Sequence, residues 1–261
     1  TLMRCLVGLI KLTQGEIQIM GEDIHESSHN FLNQIGCIIE KPDFYGYLSA
    51  QKNLELLASI SRNSNAKKNI HTTLKLVGLI GRELDKVKTY SHGMKQRLGI
   101  AQCLIHNPQI IILDEPTTGL DPEGIIEFRN LIIKLRDEFG KTILLSSHIL
   151  SEIELVADYI IIINKGKLIA QGNIAELLNE EDMIVYLETN DNLKCQALLE
   201  SIFYISITNH TSYLKLKINK LLIPTIVEKL IEHKFKVYNF EVKRGLEELY
   251  LNITNHGHET S

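Results

Sequence analysis

A short apolar run that ends in two adjacent acids is the feature that most limits how this chain can fold. Residues 110–113 are all apolar, and Asp114 and Glu115 follow them directly. Such a run is typical of a strand buried on both faces of a parallel sheet. Open α/β sheets bind ligands at the carboxyl ends of their strands, where carboxylates suit a magnesium ion beside a general base. We therefore predict an α/β fold with a ligand site at this edge. The alternative is a strand that runs into an ordinary polar turn.

Two other segments supply polar groups suited to a phosphate. Ser91 and Gly93 open a stretch with helical apolar spacing. Free backbone N–H groups and the positive end of the helix dipole make such a helix start an anion site. Residues 142–148, TILLSSH, predict a second buried strand that ends in the imidazole of His148. A phosphate held between these groups is the expected ligand.

The order of these motifs resembles that of the ABC transporter ATPases, over nearly the whole chain. A Ser-x-Gly segment followed by a glutamine, a strand ending in LDEP, the triplet GLD and a strand ending in SSH occur in the order of that family. The resemblance implies an α/β, P-loop NTPase-like (RecA-like) ATPase core with a helical subdomain and a small C-terminal α+β appendage. It also implies ATP as the nucleotide and Mg²⁺ as the metal.

The resemblance implies a role for each residue of the acidic edge. Asp114 matches the Walker B acid that binds Mg²⁺, and Glu115 matches the residue that polarises the attacking water. His148 matches the switch histidine near the γ-phosphate, and Asp121 matches the D-loop acid. Glu115 and His148 are therefore the expected catalytic residues.

The helix start at Ser91 matches the signature motif of the family. By resemblance, Ser91, Gly93 and Gln96 clasp the ATP that is bound to the partner subunit. The chain departs from the family at His92, where a second glycine is usual. Because Ser91 and Gly93 still supply the hydroxyl and the backbone donors, we expect the motif to tolerate this change.

Glu40 marks a second departure. Residues 34–54 align with the segment that links the core to the helical subdomain, and Glu40 lies where the family usually has the Q-loop glutamine. A carboxylate keeps an oxygen that faces metal or water, so Glu40 is an expected second ligand of Mg²⁺. Such an E-loop resembles the bacitracin-resistance and lantibiotic-immunity branch of the family. Neutral drift from glutamine is the alternative.

The first residues resemble the helix that follows the phosphate-binding loop. They predict a helix with Leu2, Leu6 and Leu9 along one face, then an alternating strand over residues 16–20. Thr1 would follow the hydroxyl residue that binds Mg²⁺, so it is an expected nucleotide contact.

The 261 residues contain no GxxxxGK[ST] loop, whose amides and lysine hold the phosphates. We expect a truncation of an active subunit just after this Walker A motif. The alternative is a degenerate protein that never had the loop.

Changes of pattern along the chain predict two domains. Residues 1–178 are the expected nucleotide-binding domain, with a helical subdomain at about 45–107. An amphipathic helix over residues 122–139 connects the two buried strands, as a parallel crossover requires. Residues 179–261 alternate strand-like segments with a helix and predict an α+β accessory domain.

Two local patterns in the second half complete this outline. A hairpin is expected to turn at Lys165 and Gly166. Residues 245–254 resemble the ending of single-domain ATPase subunits in drug-resistance exporters.

Composition narrows the expected partners. A formal charge of −4 gives no basic excess for nucleic acid. The apolar runs span only a few residues, well short of the ~20 that cross a bilayer. The resemblance implies an integral-membrane permease and a second ATPase subunit, as a homodimer, at the cytoplasmic face of the membrane. The cysteines are scattered without a CxxC pair and predict reduced thiols.

The resulting hypothesis is the ATP-binding and ATP-hydrolysing subunit of an ABC exporter of a peptide antibiotic. Residues 44–48 are the expected coupling surface toward the membrane partner, because they join the metal site to the helical subdomain. A ribosome-acting relative has two cassettes and a DNA-repair relative has a long coiled coil, neither of which occurs here. A non-catalytic fragment with a regulatory or binding role is the remaining alternative.

Overall fold

The computed structural model describes residues 1–24, 30–40, 42–60, 65–178, 183–243, 246 and 250. The chain forms two compact units, Thr1–Glu152 and Ile153–Ser261. Residues 153–178 thus lie in the second unit, whereas the nucleotide-binding domain was expected to extend to residue 178. That functional boundary stays a prediction.

The first unit contains a parallel sheet and the helices around it. Its strands are β1 (Gln18–Ile19), β2 (Glu22–Asp23), β3 (Ile35–Ile38), β4 (Ile110–Leu113) and β5 (Thr142–Leu145). Its helices are α1 (Leu2–Leu6), α2 (Ala50–Ile60), α3 (Ala66–Leu76), α4 (His92–Leu104), α5 (Pro122–Asp137) and α6 (Leu150–Val156), which continues past the unit boundary. Short 3₁₀ turns lie at Asn30–Gln34 and Val87–Thr89.

The parallel sheet has the order β3-β4-β5. Ile38 pairs with Leu113, and Leu113 pairs with Leu145, so the three strands end in one row. Ile111 and Leu113 are fully buried, as expected for a central strand covered on both faces. The predicted α/β fold and the buried strand β4 are confirmed. The burial predicted for β5 is wrong, because Thr142 is exposed and the other three residues are only half-buried.

Helix α4 approaches the sheet unusually closely at its last turn. A Cβ at Gly36 of β3 would lie 2.5 Å from the carbonyl oxygen of Cys103 and 2.9 Å from its Cβ. Any side chain larger than hydrogen at position 36 therefore forces the helix away. This contact fixes α4, which begins with the signature residues, against the strand that leads to Glu40.

The predicted leucine face of the first helix is wrong. Helix α1 ends at Leu6, and Gly8 follows with a φ of +74°, a left-handed residue typical of a helix end. Leu9 lies beyond the helix and is 66% exposed, and Leu2 is 52% exposed. Cys5 within the helix and Val7 at its C-cap are buried instead. Val7 joins an apolar cluster that also contains Ile19, Ile24, Phe31, Ile35 and Ile112.

The strand predicted over residues 16–20 is shorter than expected. Only Gln18 and Ile19 form β1, which pairs antiparallel with β2. The left-handed φ values of Met20 (+54°) and Gly21 (+82°) turn the chain back at once.

The second unit begins with the hairpin of β6 (Tyr159–Asn164) and β7 (Lys167–Asn173), followed by α7 (Ile174–Leu177). Lys165 and Gly166 have φ values of +49° and +76°, which suit the tight turn of a two-residue hairpin. The predicted hairpin and the position of its turn are confirmed.

An α+β fold follows the hairpin. Its elements are β8 (Met183–Thr189), α8 (Asn192–Phe203), β9 (Ile207–Asn209), β10 (Leu214–Ile218), α9 (Ile223–Glu232) and β11 (Val237–Lys243), with a 3₁₀ turn at Lys220–Leu222. The antiparallel sheet has the order β11-β8-β10-β9, which is the split β-α-β arrangement of ferredoxin-like folds.

Helix α8 was not anticipated from the sequence. Its N-cap is Asp191, whose side chain accepts from the Lys194 N–H at 3.1 Å, and the helix buries Cys195 and Leu199. Of the predicted ending over residues 245–254, only Leu246 and Tyr250 fall among the described residues.

The cysteines are free thiols, three of them buried. Burial raises the pKa of Cys103 and raises the pKa of the Cys195 thiol to about 11. Both thiols therefore remain protonated near neutral pH. Within the part of the chain that the structure describes, no helix is long and apolar enough to cross a membrane.

Two isoleucines test the position of the core. Ile111 is fully buried in β4, whereas Ile126 on α5 is 51% exposed. We expect Ile111→Ala to lower the free energy of unfolding by about 2–5 kcal/mol, because the truncation leaves a cavity. Ile126→Ala makes the same chemical change at the surface and should stay within about 0.5 kcal/mol of the wild type. Urea denaturation followed by circular dichroism measures both, and equal effects would contradict this placement of Ile111.

Candidate functional site

Two acids and a serine form a tight cluster at the carboxyl edge of the parallel sheet. Asp114 follows β4, and its N–H donates to the carbonyl of Ile38 at 2.9 Å. Ser146 follows β5, and its Oγ donates to Asp114 Oδ1 at 2.6 Å. The same Oγ accepts from the Glu115 N–H at 2.9 Å. The predicted metal ligand and the predicted catalytic acid are therefore linked through one hydroxyl.

Glu115 has an unusual backbone conformation. Its φ is +48°, a left-handed value that costs a non-glycine residue of order 1–3 kcal/mol and is common at functional sites. Its carboxylate Oε2 accepts from His148 Nδ1 at 2.8 Å. The structure thus brings both predicted catalytic residues into direct contact. Their side chains are 40% and 71% exposed, which leaves them open to a ligand.

Glu40 also follows a strand of this edge and also has a left-handed φ, +74°. Its carboxylate pairs with the guanidinium of Arg4 on α1 rather than with a group of the acid cluster. Both side chains are well exposed, and such pairs contribute about 0.2–1 kcal/mol. Thr1 lies at the start of the same helix, where its carbonyl accepts from the Cys5 N–H at 3.1 Å. The metal role of Glu40 and the nucleotide contact of Thr1 stay predictions.

The signature residues form a second group around one pocket. Ser91 caps α4, and its Oγ accepts from the Met94 N–H at 3.2 Å. Gln96 is one turn further along and only 7% exposed. Ser91, Gly93, Gln96 and Asp121 line an open pocket of about 480 Å³ between the starts of α4 and α5. The predicted signature and D-loop residues therefore lie together.

His92, the residue that departs from the family pattern, contacts the loop between β4 and α5. Its Nε2 lies 3.1 Å from the carbonyl oxygen of Thr118, which can only accept, so Nε2 is the donor. Gly119 follows with a φ of +79°, and a Cβ there would lie 3.1 Å from the imidazole. Thr118 Oγ1 in turn lies 3.5 Å from Glu115 Oε2. One loop thus carries the predicted catalytic acid and also contacts the predicted signature turn.

The donors at the carboxyl edge fit a Mg²⁺ ion that is shared with nucleotide phosphates. In phosphate-transferring enzymes Mg²⁺ uses one or two carboxylates plus substrate oxygens rather than an all-protein cage. Across the described ranges, no group of three or more His, Cys, Asp or Glu side chains is placed to hold a metal ion. Asp114 supplies one hard carboxylate whose Oδ1 is already fixed by Ser146. This donor set would require further oxygens, such as those that nucleotide phosphates would supply.

Sequence reasoning missed Ser146 and Arg4. A serine after a strand is ordinary, and nothing in its immediate neighbours indicates a contact with an acid 32 residues earlier. The expected parallel pairing of the two buried strands was the one signal for this contact, because the residues that directly follow paired strand ends lie side by side. For Arg4, the distance of 36 residues to Glu40 left no local pattern to recognise.

Three parallel strands that end in an acid pair and a histidine, beside a capped helix start that lines a pocket, define an α/β nucleotide-binding ATPase domain. Residues 1–118 match the ABC transporter family. The uncharacterized ABC transporter ATP-binding protein YhcH of Bacillus subtilis is 39% identical over 255 residues, which cover 97% of this chain and 82% of YhcH. The chain therefore belongs to the ATP-binding proteins of the ABC transporter family.

Two further relatives place it beside the antibiotic-related members. The bacitracin transport ATP-binding protein BcrA of Bacillus licheniformis is 43% identical, covering 78% of this chain and 67% of BcrA. The lantibiotic transport ATP-binding protein SrtF of Streptococcus pyogenes is 44% identical, covering 69% of this chain and 79% of SrtF.

A solved structure shares the fold. A dimeric ATP-binding cassette in a post-hydrolysis state, bound to ADP and Pi, matches with a TM-score of 0.58 and 25% identity. The match covers 66% of this chain and 79% of that one.

Asp121 lines the pocket and caps helix α5, and this cap can be tested by substitution. Its Oδ1 caps α5 by accepting from the Gly124 N–H at 3.1 Å. We expect Asp121→Ala to lower the free energy of unfolding by about 1 kcal/mol, because the helix loses its cap. Asp121→Asn keeps an amide oxygen at the cap and should lose less than half as much. Urea denaturation compares the variants, and an equal loss in both would show that the cap does not stabilise α5.

Proposed function

We propose that this chain is the ATP-hydrolysing subunit of an ABC exporter, which powers efflux of a peptide antibiotic through a separate integral-membrane permease. The observation that carries the proposal is the cluster at the carboxyl edge, in which Ser146 links Asp114 to Glu115 and Glu115 contacts His148. A metal-binding acid, a carboxylate base and an imidazole in one cluster suit phosphoryl transfer to water.

Each residue of this edge has one part in the proposed reaction. Asp114 and Glu40 would hold the Mg²⁺ that accompanies ATP, and a metal bound there would supply positive charge next to the phosphate oxygens. Glu115 orients the attacking water and accepts its proton on the carboxylate. His148 holds that carboxylate through Nδ1 and contacts the γ-phosphate. Thr1, the N-cap of α1, is the remaining proposed nucleotide contact.

A second copy of the chain completes each proposed ATP site. Ser91, Gly93 and Gln96 line an open pocket together with Asp121, apart from the cluster of acids. In a homodimer this pocket covers the nucleotide that is bound at the acidic edge of the other subunit. The dimeric state of the solved relative with ADP and Pi favours this arrangement.

Two relatives favour a peptide antibiotic as the cargo. BcrA is described as a bacitracin transport protein and SrtF as a lantibiotic transport protein. The cargo crosses through the permease, so the ATPase subunit binds peripherally at the cytoplasmic face of the cell membrane. Its contribution is the cycle of ATP binding and hydrolysis rather than cargo recognition.

Two exposed tyrosines support a coupling surface at residues 44–48. Tyr45 and Tyr47 pack edge to face with ring centroids 5.8 Å apart, although 53% and 67% of their surfaces are exposed. The side chain of Asn53, which is only 2% exposed, holds Tyr45 by accepting from its N–H at 2.9 Å and donating to its carbonyl at 3.2 Å. Rigidly held aromatic residues are common at the centres of protein interfaces. We propose that the permease packs on this pair.

Replacement of the proposed base tests hydrolysis. Glu115→Gln in the full-length native subunit should lower kcat by roughly 10²–10⁴-fold, because an amide cannot accept the proton. ATP binding should persist, so the variant retains bound ATP in a filter-binding assay. Glu138→Gln makes the same change at the exposed end of α5 and should hydrolyse ATP like the wild type. Full-rate hydrolysis by Glu115→Gln would overturn the assignment.

The coupling surface has its own test. Tyr47→Ala should reduce the stimulation of ATPase activity by the permease several-fold, because it removes an aromatic contact of the interface. Tyr204→Ala removes a 93% exposed tyrosine of the second unit and serves as the matched control. Measurement of ATPase activity with and without reconstituted permease separates coupling from basal activity. Equal stimulation of the wild type and Tyr47→Ala would exclude this surface.

A further inference from the structure

Ser146 contacts both acids of the carboxyl edge, Asp114 and Glu115. We propose that Ser146 is a positioning residue for ATP hydrolysis, whose hydroxyl fixes the Asp114 carboxylate and the Glu115 backbone at the same time. The inference rests on the proposed function of the carboxyl edge. It adds a residue that neither binds the nucleotide nor exchanges a proton with it.

The hydrogen-bond directions at Ser146 follow from the chemistry of its neighbours. A carboxylate only accepts, so the hydroxyl proton must point at Asp114 Oδ1, 2.6 Å away. The Glu115 N–H only donates, so it must use a lone pair of the same Oγ, 2.9 Å away. A donor to a carboxylate makes a short, charge-assisted bond, which agrees with the shorter of the two distances. Both partners therefore constrain the one rotatable O–H.

The serine itself is held by the sheet. Its N–H donates to the carbonyl of Leu113 at 3.0 Å, which extends the β4–β5 pairing by one residue. Leu145 pairs with Leu113 immediately before it. The hydroxyl is thus presented by a strand end rather than by a mobile loop, which suits a residue that must hold others in place.

Ser146 also supports the left-handed turn at Glu115. Glu115 has a φ of +48°, and its N–H donates to the Ser146 side chain at the end of β5. The turn sends the Glu115 carboxylate to His148 Nδ1 at 2.8 Å. Without the acceptor at Ser146, the Glu115 backbone would no longer be held in this turn, and its carboxylate would no longer be directed at His148. One hydroxyl therefore controls the metal-binding acid through its side chain and the proposed base through its backbone.

Three single variants of the full-length native subunit, assembled with its membrane partner, test the inference. Ser146→Ala removes the hydroxyl, Ser146→Thr keeps it, and Ser147→Ala removes the neighbouring hydroxyl, which accepts from the Ile149 N–H at 3.0 Å instead. ATPase rates are measured against ATP and against Mg²⁺ concentration. Exchange of the Glu115 amide is followed by NMR.

We expect Ser146→Ala to lower kcat and to raise the half-saturating Mg²⁺ concentration, each by about 10–100-fold, the usual range for residues that orient a metal ligand. The KM for ATP at saturating Mg²⁺ should stay within about twofold, because Ser146 does not touch the nucleotide. Ser146→Thr and Ser147→Ala should stay within about threefold of the wild type in each quantity. The inference is overturned if Ser146→Ala keeps both its kcat and its Mg²⁺ dependence, or if Ser146→Thr is as impaired as Ser146→Ala.

The amide exchange separates this inference from the function on which it rests. The Glu115 amide should exchange about tenfold faster in Ser146→Ala than in the wild type and Ser147→Ala, because it has lost its acceptor. An unchanged exchange rate overturns the positioning role, whatever the ATPase result. A wild-type subunit that does not hydrolyse ATP overturns the proposed function instead, and the exchange rate still decides the contact.

Discussion

The parallel pairing of β3, β4 and β5 is the constraint on which the rest of the site depends. Ile38, Leu113 and Leu145 lie in one row, so the residues that follow them leave the sheet at one edge. The chemistry of the site is therefore assembled from segments that are far apart in the sequence. A slip of one residue in the β4–β5 pairing would turn every side chain of the slipped strand to the opposite face and would separate Ser146 from Asp114.

The loop between β4 and α5 joins the two halves of the candidate site within one subunit. Glu115 opens it at the acid cluster, Thr118 lies beside that carboxylate and accepts from His92, and Asp121 closes it as the cap of α5. A histidine in place of the usual glycine therefore has a structural partner in this chain.

The sequence was most informative where burial and local chemistry coincide. The apolar run 110–113, the acids after it and the capped helix start at Ser91 could be recognised because each depends on neighbouring residues. The first helix was misjudged because its leucine spacing continues past Gly8, whose left-handed backbone ends the helix. The contacts of Ser146 and Arg4 were missed, because each links segments that are far apart in the sequence and meet only in the folded sheet and its neighbouring helix.

The close approach of Gly36 to Cys103 anchors one end of α4. The contact lies at the last turn of the helix, and the 13 residues of α4 extend about 20 Å at 1.5 Å per residue to the signature end. Because α4 packs tightly against β3 at this end, a tilt of the helix about the contact would displace Ser91 further than any residue nearer to Cys103. A change in packing at Gly36 would therefore alter the width of the pocket that Ser91 lines, about 20 Å away.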